Sequence, residues 1–198
     1  GAYRDDSKGS AYIFERDHGG TGVWGEAAKL TASDGASGDE FGLSISISGD
    51  TVVVGAYGDD DNGEFSGSTY VFVRDGFGAW TQQAKLTAID GESGDRFGYP
   101  VSVSGSAALI GAFRDDDNGT DSGAAYIVDL NFAAVTTQSV DSITLTGANV
   151  NGELTALGDP APTAHGFCWS VTENPTILND KTDEGAASAT GSFSSAIS

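Results

Sequence analysis

The sequence has one cysteine, no methionine and four prolines among its 198 residues. Cys168 has no partner with which to form a disulfide inside the chain, so no disulfide framework holds the fold together. Lysine and arginine are also scarce: nine stand against 29 aspartates and glutamates, for a formal net charge of −20. Binders of nucleic acid and of anionic membranes carry basic patches, so this charge argues against both partners. It favours cations, basic partners or solubility in a salty exterior.

Long apolar runs and catalytic motifs are absent as well. No stretch approaches the roughly 18 apolar residues that span a bilayer, so we expect no membrane insertion. Neither His18 nor His165 has a serine or cysteine nearby in a recognisable nucleophile motif. The glycines are typical of β turns and do not precede a helix, as a phosphate-binding loop would require. We therefore expect no enzymatic activity.

Repetition and alternation are what the sequence does have. Alternating Val, Ile, Thr, Ser and Tyr, together with 29 glycines, predict an all-β fold with many turns. Residues 24–35 recur almost unchanged at 80–91, and the copy continues from 38–42 to 94–98. A Gly-Ala-Tyr or Gly-Ala-Phe triplet begins at residues 1, 55 and 111. Such a period indicates a repeat architecture in which each unit needs its neighbours to bury its apolar face.

The middle copy predicts four consecutive antiparallel strands, the pattern of a propeller blade. These strands are expected at residues 43–48, 51–54, 68–74 and 80–88. The third copy predicts three strands and ends after Asp129 without a fourth, and the first copy lacks its front half. The fold is therefore predicted to contain a partial β-propeller of about two and a half four-stranded blades. A closed propeller needs at least about four blades, so we expect either a fragment or closure by other chains.

A second module is predicted after a change of composition near residue 132. Acidic loops give way to segments rich in valine and threonine, so we assign residues 1–131 to the repeats and 132–198 to an incomplete β-sandwich. Its length of about 66 residues is short for a sandwich of roughly 100. Trp169 is expected in the core of that sandwich. Trp24 and Trp80, which recur in register, are expected in the core of the repeats or in the packing between blades.

Strand order places most of the acidic loops on one side of the blades. In an up-and-down blade, the loops between second and third strands emerge on the same side as the links between blades. Sixteen of the 29 acidic residues fall in these segments: Asp5, Asp6, Asp34, Asp39, Glu40, Asp59, Asp60, Asp61, Glu64, Asp90, Glu92, Asp95, Asp115, Asp116, Asp117 and Asp121. One side is thus strongly anionic, and the Asp-Gly links themselves are expected to be structural.

Two interpretations of the acidic loops stay open. Oxygen-rich loops are the ligands that Ca²⁺ prefers, and Asp115, Asp117 and Asp121 have an alternate-residue spacing suited to wrapping one ion. Asp59 and Asp61 repeat most of that spacing. In the alternative, these are solvated turns whose Asp and Asn side chains bond to their own backbone.

The Phe-Gly pair followed by Gly-Ala-Tyr or Gly-Ala-Phe resembles the FG-GAP repeat of integrin-type β-propellers. Residues 55–72 resemble the bacterial variant of secreted and surface proteins, and the resemblance covers residues 1–130 in three copies. The integrin-type metal loop lies between first and second strands, where this chain has only short turns at 48–50 and 104–106. Further segments resemble a fibronectin type III-like module: residues 165–170, 174–176, 180–182 and 191–193.

These resemblances imply a non-enzymatic, extracellular, structural or adhesive module of a bacterial surface protein. The crowded carboxylates of the acidic loops, and not the resemblance, lead us to expect that the acidic face binds divalent cations. As a hypothesis, open strand edges pair with other copies of the chain or with neighbouring chains and build a surface fibre. One alternative is a lectin-like propeller that binds a surface glycan or a protein. Another is an accessory domain of a secreted hydrolase.

Overall fold

The computed structural model describes residues 1–75, 77–144, 146–158, 162–169 and 180–197. Within these ranges the chain is all-β, with fourteen strands and one short 3₁₀ helix at Asp5–Ser7. It divides into two compact units, Gly1–Leu130 and Asn131–Ser198. The described residues include no helix whose length and apolar character would let it cross a membrane.

Three antiparallel sheets make up the described part of the first unit, which confirms the predicted partial propeller. The first sheet pairs β1 with β2, the second has the order β3-β4-β5-β6, and the third has the order β7-β8-β9. Within each sheet, consecutive strands are hydrogen-bonded neighbours, as in propeller blades. Their bounds are Ala11–Arg16, Trp24–Leu30, Ile45–Ser48, Thr51–Ala56, Ser68–Arg74, Trp80–Leu86, Phe97–Ser104, Ala107–Ala112 and Ala124–Asp129.

One face of the second sheet packs against the first sheet. Alternate residues of a strand share a face, so Val52 and Val54 of β4 lie beside Tyr70 and Phe72 of β5. All four are at most 4% exposed, and their apolar cluster also includes Ala11, Leu30, Phe41 and Ala56. This burial is the reason for the apolar run in β4, because each of its faces meets another sheet.

The two recurring tryptophans differ in their surroundings. Trp80 is partly buried against the apolar cluster, as predicted. Trp24 is 66% exposed, so the prediction of a core position is wrong there. Among the described residues, no further sheet covers the side of β2 on which Trp24 lies.

Serine side chains connect the second sheet to the third. The alternation in β3 predicts one apolar and one hydroxylated face, and the structure turns the hydroxyls towards β7. Backbone N–H groups of β7 donate to them at 2.9, 3.0 and 3.1 Å: Val101 to Ser44, Val103 to Ser46 and Gly105 to Ser48. These bonds satisfy backbone donors of an edge strand, which would otherwise be costly to bury.

Glycine allows neighbouring sheets to touch through their backbones. A Cβ atom on Gly55 would lie 1.8 Å from the carbonyl oxygen of Gly98, and one on Gly1 would lie 1.8 Å from that of Gly42. Gly55 and Gly1 begin the Gly-Ala-Tyr triplets, whereas Gly98 and Gly42 end the Phe-Gly pairs of the following copies. The two motifs recur together because they are the two halves of one contact.

The second unit contains a three-stranded sheet and a strand pair. The sheet has the order β10-β11-β14, and β12 pairs with β13; the bounds are Ala134–Thr137, Ala148–Ala156, Gly191–Ile197, Cys168–Trp169 and Asp180–Lys181. The ring of Phe193 lies 4.9 Å from that of Phe167 and 4.7 Å from that of His165, centroid to centroid. The fibronectin type III-like assignment stays a prediction, and its segment 174–176 lies outside the described residues.

The substitution Gly55→Ala should destabilise the protein by about 3 kcal/mol, because its methyl group must displace the backbone of the next sheet. Gly49→Ala is the control: Gly49 lies in an open turn with φ of +57° and no atom within 4 Å of an added Cβ. That change should cost about 1 kcal/mol through backbone strain alone. Urea unfolding of both variants measures the difference, and equal losses would contradict the proposed contact.

Candidate functional site

Three carboxylates of the first unit surround the ammonium group of one lysine. The Nζ atom of Lys85 lies 2.8 Å from Asp34 Oδ2, 2.9 Å from Asp59 Oδ2 and 2.5 Å from Asp61 Oδ2. The hydroxyl of Tyr70 lies 2.8 Å from Asp34 Oδ1 and 3.0 Å from Asp59 Oδ2. Its ring lies 5.2 Å from the same ammonium group. We name these five residues the second-repeat cluster.

Strand register and loop position bring the second-repeat cluster together. Tyr70 of β5 lies directly opposite Lys85 of β6. Asp59 follows β4 and accepts a hydrogen bond of 2.9 Å from the Ser68 hydroxyl. Asp34 comes from the link between the first and second sheets. Asp34 and the loop residues Asp59 and Asp61 bind the same ammonium group, so this link and the loop after β4 lie on the same side, as strand order predicts.

Burial makes the charge balance of this cluster important. The side chain of Asp59 is 4% exposed and that of Lys85 is 17% exposed. A buried charge is costly unless an opposite charge and hydrogen bonds compensate it. Burial lowers the pKa of Lys85, but the carboxylates of Asp34, Asp61 and Asp59 outweigh it and hold that pKa above its ordinary value. Lys85 is therefore fully charged at neutral pH.

A similar cluster occurs in the first repeat. Lys29 Nζ lies 2.8 Å from Asp5 Oδ2 and 3.7 Å from Asp6 Oδ2, and the Tyr12 hydroxyl donates to Asp5 over 2.7 Å. Tyr12 of β1 lies opposite Lys29 of β2, in the register that joins Tyr70 to Lys85. The hydrogen bond from Lys29, followed by that from Tyr12, lowers the pKa of Asp5 to about 2.

The third repeat has the carboxylates and the tyrosine without the lysine. The Tyr126 hydroxyl lies 2.7 Å from Asp90 Oδ1 and 3.0 Å from Asp115 Oδ2, nearly as in the second repeat. Asp115 is 3% exposed, and no lysine or arginine of the described residues forms an ion pair with it, with Asp90 or with Asp117. The charge of Asp115, with desolvation and the charge of Asp90, raises the pKa of Asp117. We name these four residues the third-repeat cluster.

The structure distributes the five predicted calcium ligands over two clusters. Asp59 and Asp61 share the ammonium group of Lys85, which supplies the positive charge between them. Asp115 accepts a backbone N–H from Asp117 at 3.4 Å, and the Asp121 carboxylate makes no hydrogen bond or ion pair with a described residue. In the described part of the chain, no group of three or more His, Cys, Asp or Glu side chains is arranged to hold a metal ion. Calcium binding stays a prediction.

Sequence reasoning missed the lysine and tyrosine positions. Lys29 and Lys85 stand 56 residues apart within the repeated segment, and Tyr12, Tyr70 and Tyr126 recur in the next strand after each Gly-Ala triplet. Because the chain has nine basic residues in all, two lysines at the same position of successive repeats are a signal that could have pointed to these clusters. Asp34 was expected to shape a link, whereas its carboxylate also binds Lys85.

The substitution Lys85→Met should destabilise the protein by about 3 kcal/mol, because it leaves a buried carboxylate without its counter-charge. Lys29→Met is the matched control, and its loss should be smaller because the Lys29 side chain is 37% exposed. Denaturant unfolding at pH 7 checks both variants. A loss for Lys29→Met that equals or exceeds the loss for Lys85→Met would contradict the assigned role.

Equivalent aspartates in the two clusters should respond oppositely to neutralisation. Asp117→Asn should raise the melting temperature at pH 7, because a raised pKa means that ionisation of Asp117 costs more in the folded than in the unfolded chain. That cost appears as pH rises through about 4, so the gain should vanish at lower pH. Asp61→Asn should lower the melting temperature at pH 7, since it removes an ion pair with Lys85. Thermal melts between pH 3 and 7 test the contrast, and a fall for both variants at neutral pH would refute it.

The comparison with known families agrees with this repeat structure. Residues 24–72 and 80–128 each match the family model of the FG-GAP repeat. These segments run from β2 into β5 and from β6 into β9, so together they contain all residues of the second-repeat and third-repeat clusters. No curated protein matches the chain. The first unit of this chain therefore contains two FG-GAP repeats, at residues 24–72 and 80–128.

Proposed function

We propose that this chain is a non-enzymatic structural or adhesive module of an extracellular assembly, such as a bacterial surface fibre. It associates with copies of itself through the apolar face of its third sheet and with other chains through the edge of that sheet. FG-GAP repeats are generally propeller-type binding modules and usually occur in extracellular proteins, which supports the proposal. The observation that carries it is the difference in burial between equivalent positions of the second and third sheets.

Equivalent side chains are buried in one sheet and exposed in the next. Val53 and Val71, on the face of the second sheet that meets β7, are 0% exposed. Their counterparts 56 residues later, Leu109 and Ile127, are 48% and 82% exposed. Leu109 of β8 and Ile127 of β9 lie directly opposite each other, on the same face. Exposed apolar side chains that lie together on one face are typical of a protein interaction site.

The edge of the third sheet is a second binding feature. In the described residues β9 pairs with β8 on one side only, whereas its counterpart β5 has a strand on each side. An unpaired edge offers a row of backbone donors and acceptors to an added strand. Strand addition supplies directional main-chain hydrogen bonds, and the apolar face beside it supplies burial.

Net charge sets the conditions for association. Copies that each carry a charge of −20 repel one another over roughly one Debye length, about 10 Å at 0.1 M salt. At low ionic strength this repulsion opposes apolar contact between copies. At high ionic strength salt screens the repulsion, and the contact can form. Self-association through the third sheet should therefore strengthen as salt is added.

The substitution Ile127→Glu should weaken self-association about tenfold or more, because it places a charge on the apolar face. Ile89→Glu is the matched control, since Ile89 is 98% exposed in the link before β7 and lies outside that face. Sedimentation velocity over a hundredfold range of concentration measures both variants against the parent chain.

Hydrogen exchange of the β9 amides completes the test. A chain that stays monomeric at every concentration, with its β9 amides already protected, would contradict the proposed function. Equal association of the Ile127→Glu and parent chains would contradict the assignment of the face.

A further inference from the structure

The first two sheets share a tyrosine–lysine pair between adjacent strands that is absent from the described part of the third sheet. In both, the tyrosine of the third blade strand lies opposite a lysine of the fourth: Tyr12 opposite Lys29 and Tyr70 opposite Lys85. In both, the register shifts by one residue directly after the next position, between Ile13 and Phe14 and between Val71 and Phe72. Tyr126 of β9 occupies the same place, and no fourth strand pairs with β9 in the described residues.

The third-repeat cluster is already arranged to receive an ammonium group. The Tyr126 hydroxyl lies 2.7 and 3.0 Å from the carboxylates of Asp90 and Asp115. The Tyr70 hydroxyl lies 2.8 and 3.0 Å from its two carboxylates, so the distances differ by at most 0.1 Å. In the second repeat, the fourth strand, β6, supplies both the lysine ammonium group and the backbone hydrogen bonds to β5. The unpaired edge and the unbalanced carboxylates of the third repeat therefore lie at the same place, and one missing strand accounts for both.

The chain's own fourth strands are already engaged. Lys29 and Lys85 are the lysines that lie in an Ala-Lys-Leu triplet, and both belong to strands paired with β1 and β5. A second folded copy therefore has no such strand to donate. Its charge of −20 also disfavours its approach to an acidic cluster. A basic segment from a different chain has the complementary charge.

We propose that the open edge of β9 binds an extended segment of a partner chain, antiparallel and with a lysine opposite Tyr126. The lysine ammonium lies between Asp90, Asp115 and Asp117. An alanine of the segment lies opposite Ile127 and a leucine opposite Ala125, as in the pairing of β5 with β6. This inference rests on the proposed function, because it names the partner chemistry of the same edge.

The test uses a peptide with the sequence of residues 80–88 as the probe and the whole chain as the receptor. This peptide carries the Ala-Lys-Leu triplet, and its Lys85→Gln form is the matched control. Isothermal titration should detect binding of the first peptide and a loss of about tenfold or more in affinity for the second, which corresponds to one charge-assisted contact. Binding of the lysine peptide should also weaken as salt is added.

Two receptor variants locate the peptide. Asp117→Asn should weaken binding of the lysine peptide about as much as the glutamine substitution does, while leaving the glutamine peptide unaffected. Asp61→Asn makes the same change in the second-repeat cluster, where Lys85 is already bound, and should leave both affinities unchanged. Melting curves of the two variants confirm that each is folded, since both positions are on exposed loops.

The outcomes separate this inference from the proposed function. Equal binding of both peptides would overturn lysine recognition and leave strand addition at β9 in place. Failure of both peptides to bind while calcium chloride titrates the Asp117 site would also overturn it, in favour of a metal ion as the counter-charge. If neither peptide binds, and the chain is monomeric with protected β9 amides, the proposed function is refuted as well.

Discussion

Backbone contact between glycines of neighbouring sheets is the constraint on which the first unit depends. The 1.8 Å that would separate a Gly55 Cβ from the Gly98 carbonyl leaves room for a hydrogen atom and for nothing larger. Only at this separation do the apolar face of one sheet and the serine side chains of β3 reach the next. The burial of Phe41 and Tyr70, whose rings lie 5.4 Å apart, follows from the same approach.

Charge is the second organising factor, and it acts locally despite the large net value. Two of the nine basic residues, Lys29 and Lys85, each neutralise carboxylates of their own repeat, and Arg74 forms an ion pair with Glu15 of the first sheet at 3.0 Å. The excess negative charge is therefore unevenly compensated along the array. The carboxylate cluster of the third repeat has no lysine, and the strand that would carry one is not among the described residues.

Much of this architecture could be predicted from the sequence, because the repeats supply independent copies of each pattern. Alternation predicted β3, the apolar run predicted β4, and the shared loop positions predicted that Asp34 lies near the loop after β4. The role of Lys85 could not be predicted in that way. Its contacts depend on which residue of β6 lies opposite Tyr70, and a one-residue bulge sets that register. Trp24 could not be assigned either, since its exposure depends on which sheets surround it.

The serine contacts between β3 and β7 have a consequence for how such arrays change in evolution. Adjacent blades are joined there by serine hydroxyls that accept hydrogen bonds from amides of the next blade, and not by a continuous backbone ladder. Ser102 and Ser104 of β7 repeat the spacing of Ser46 and Ser48. Gene duplication can therefore insert or delete a whole blade at this junction while the flanking ones keep their internal geometry.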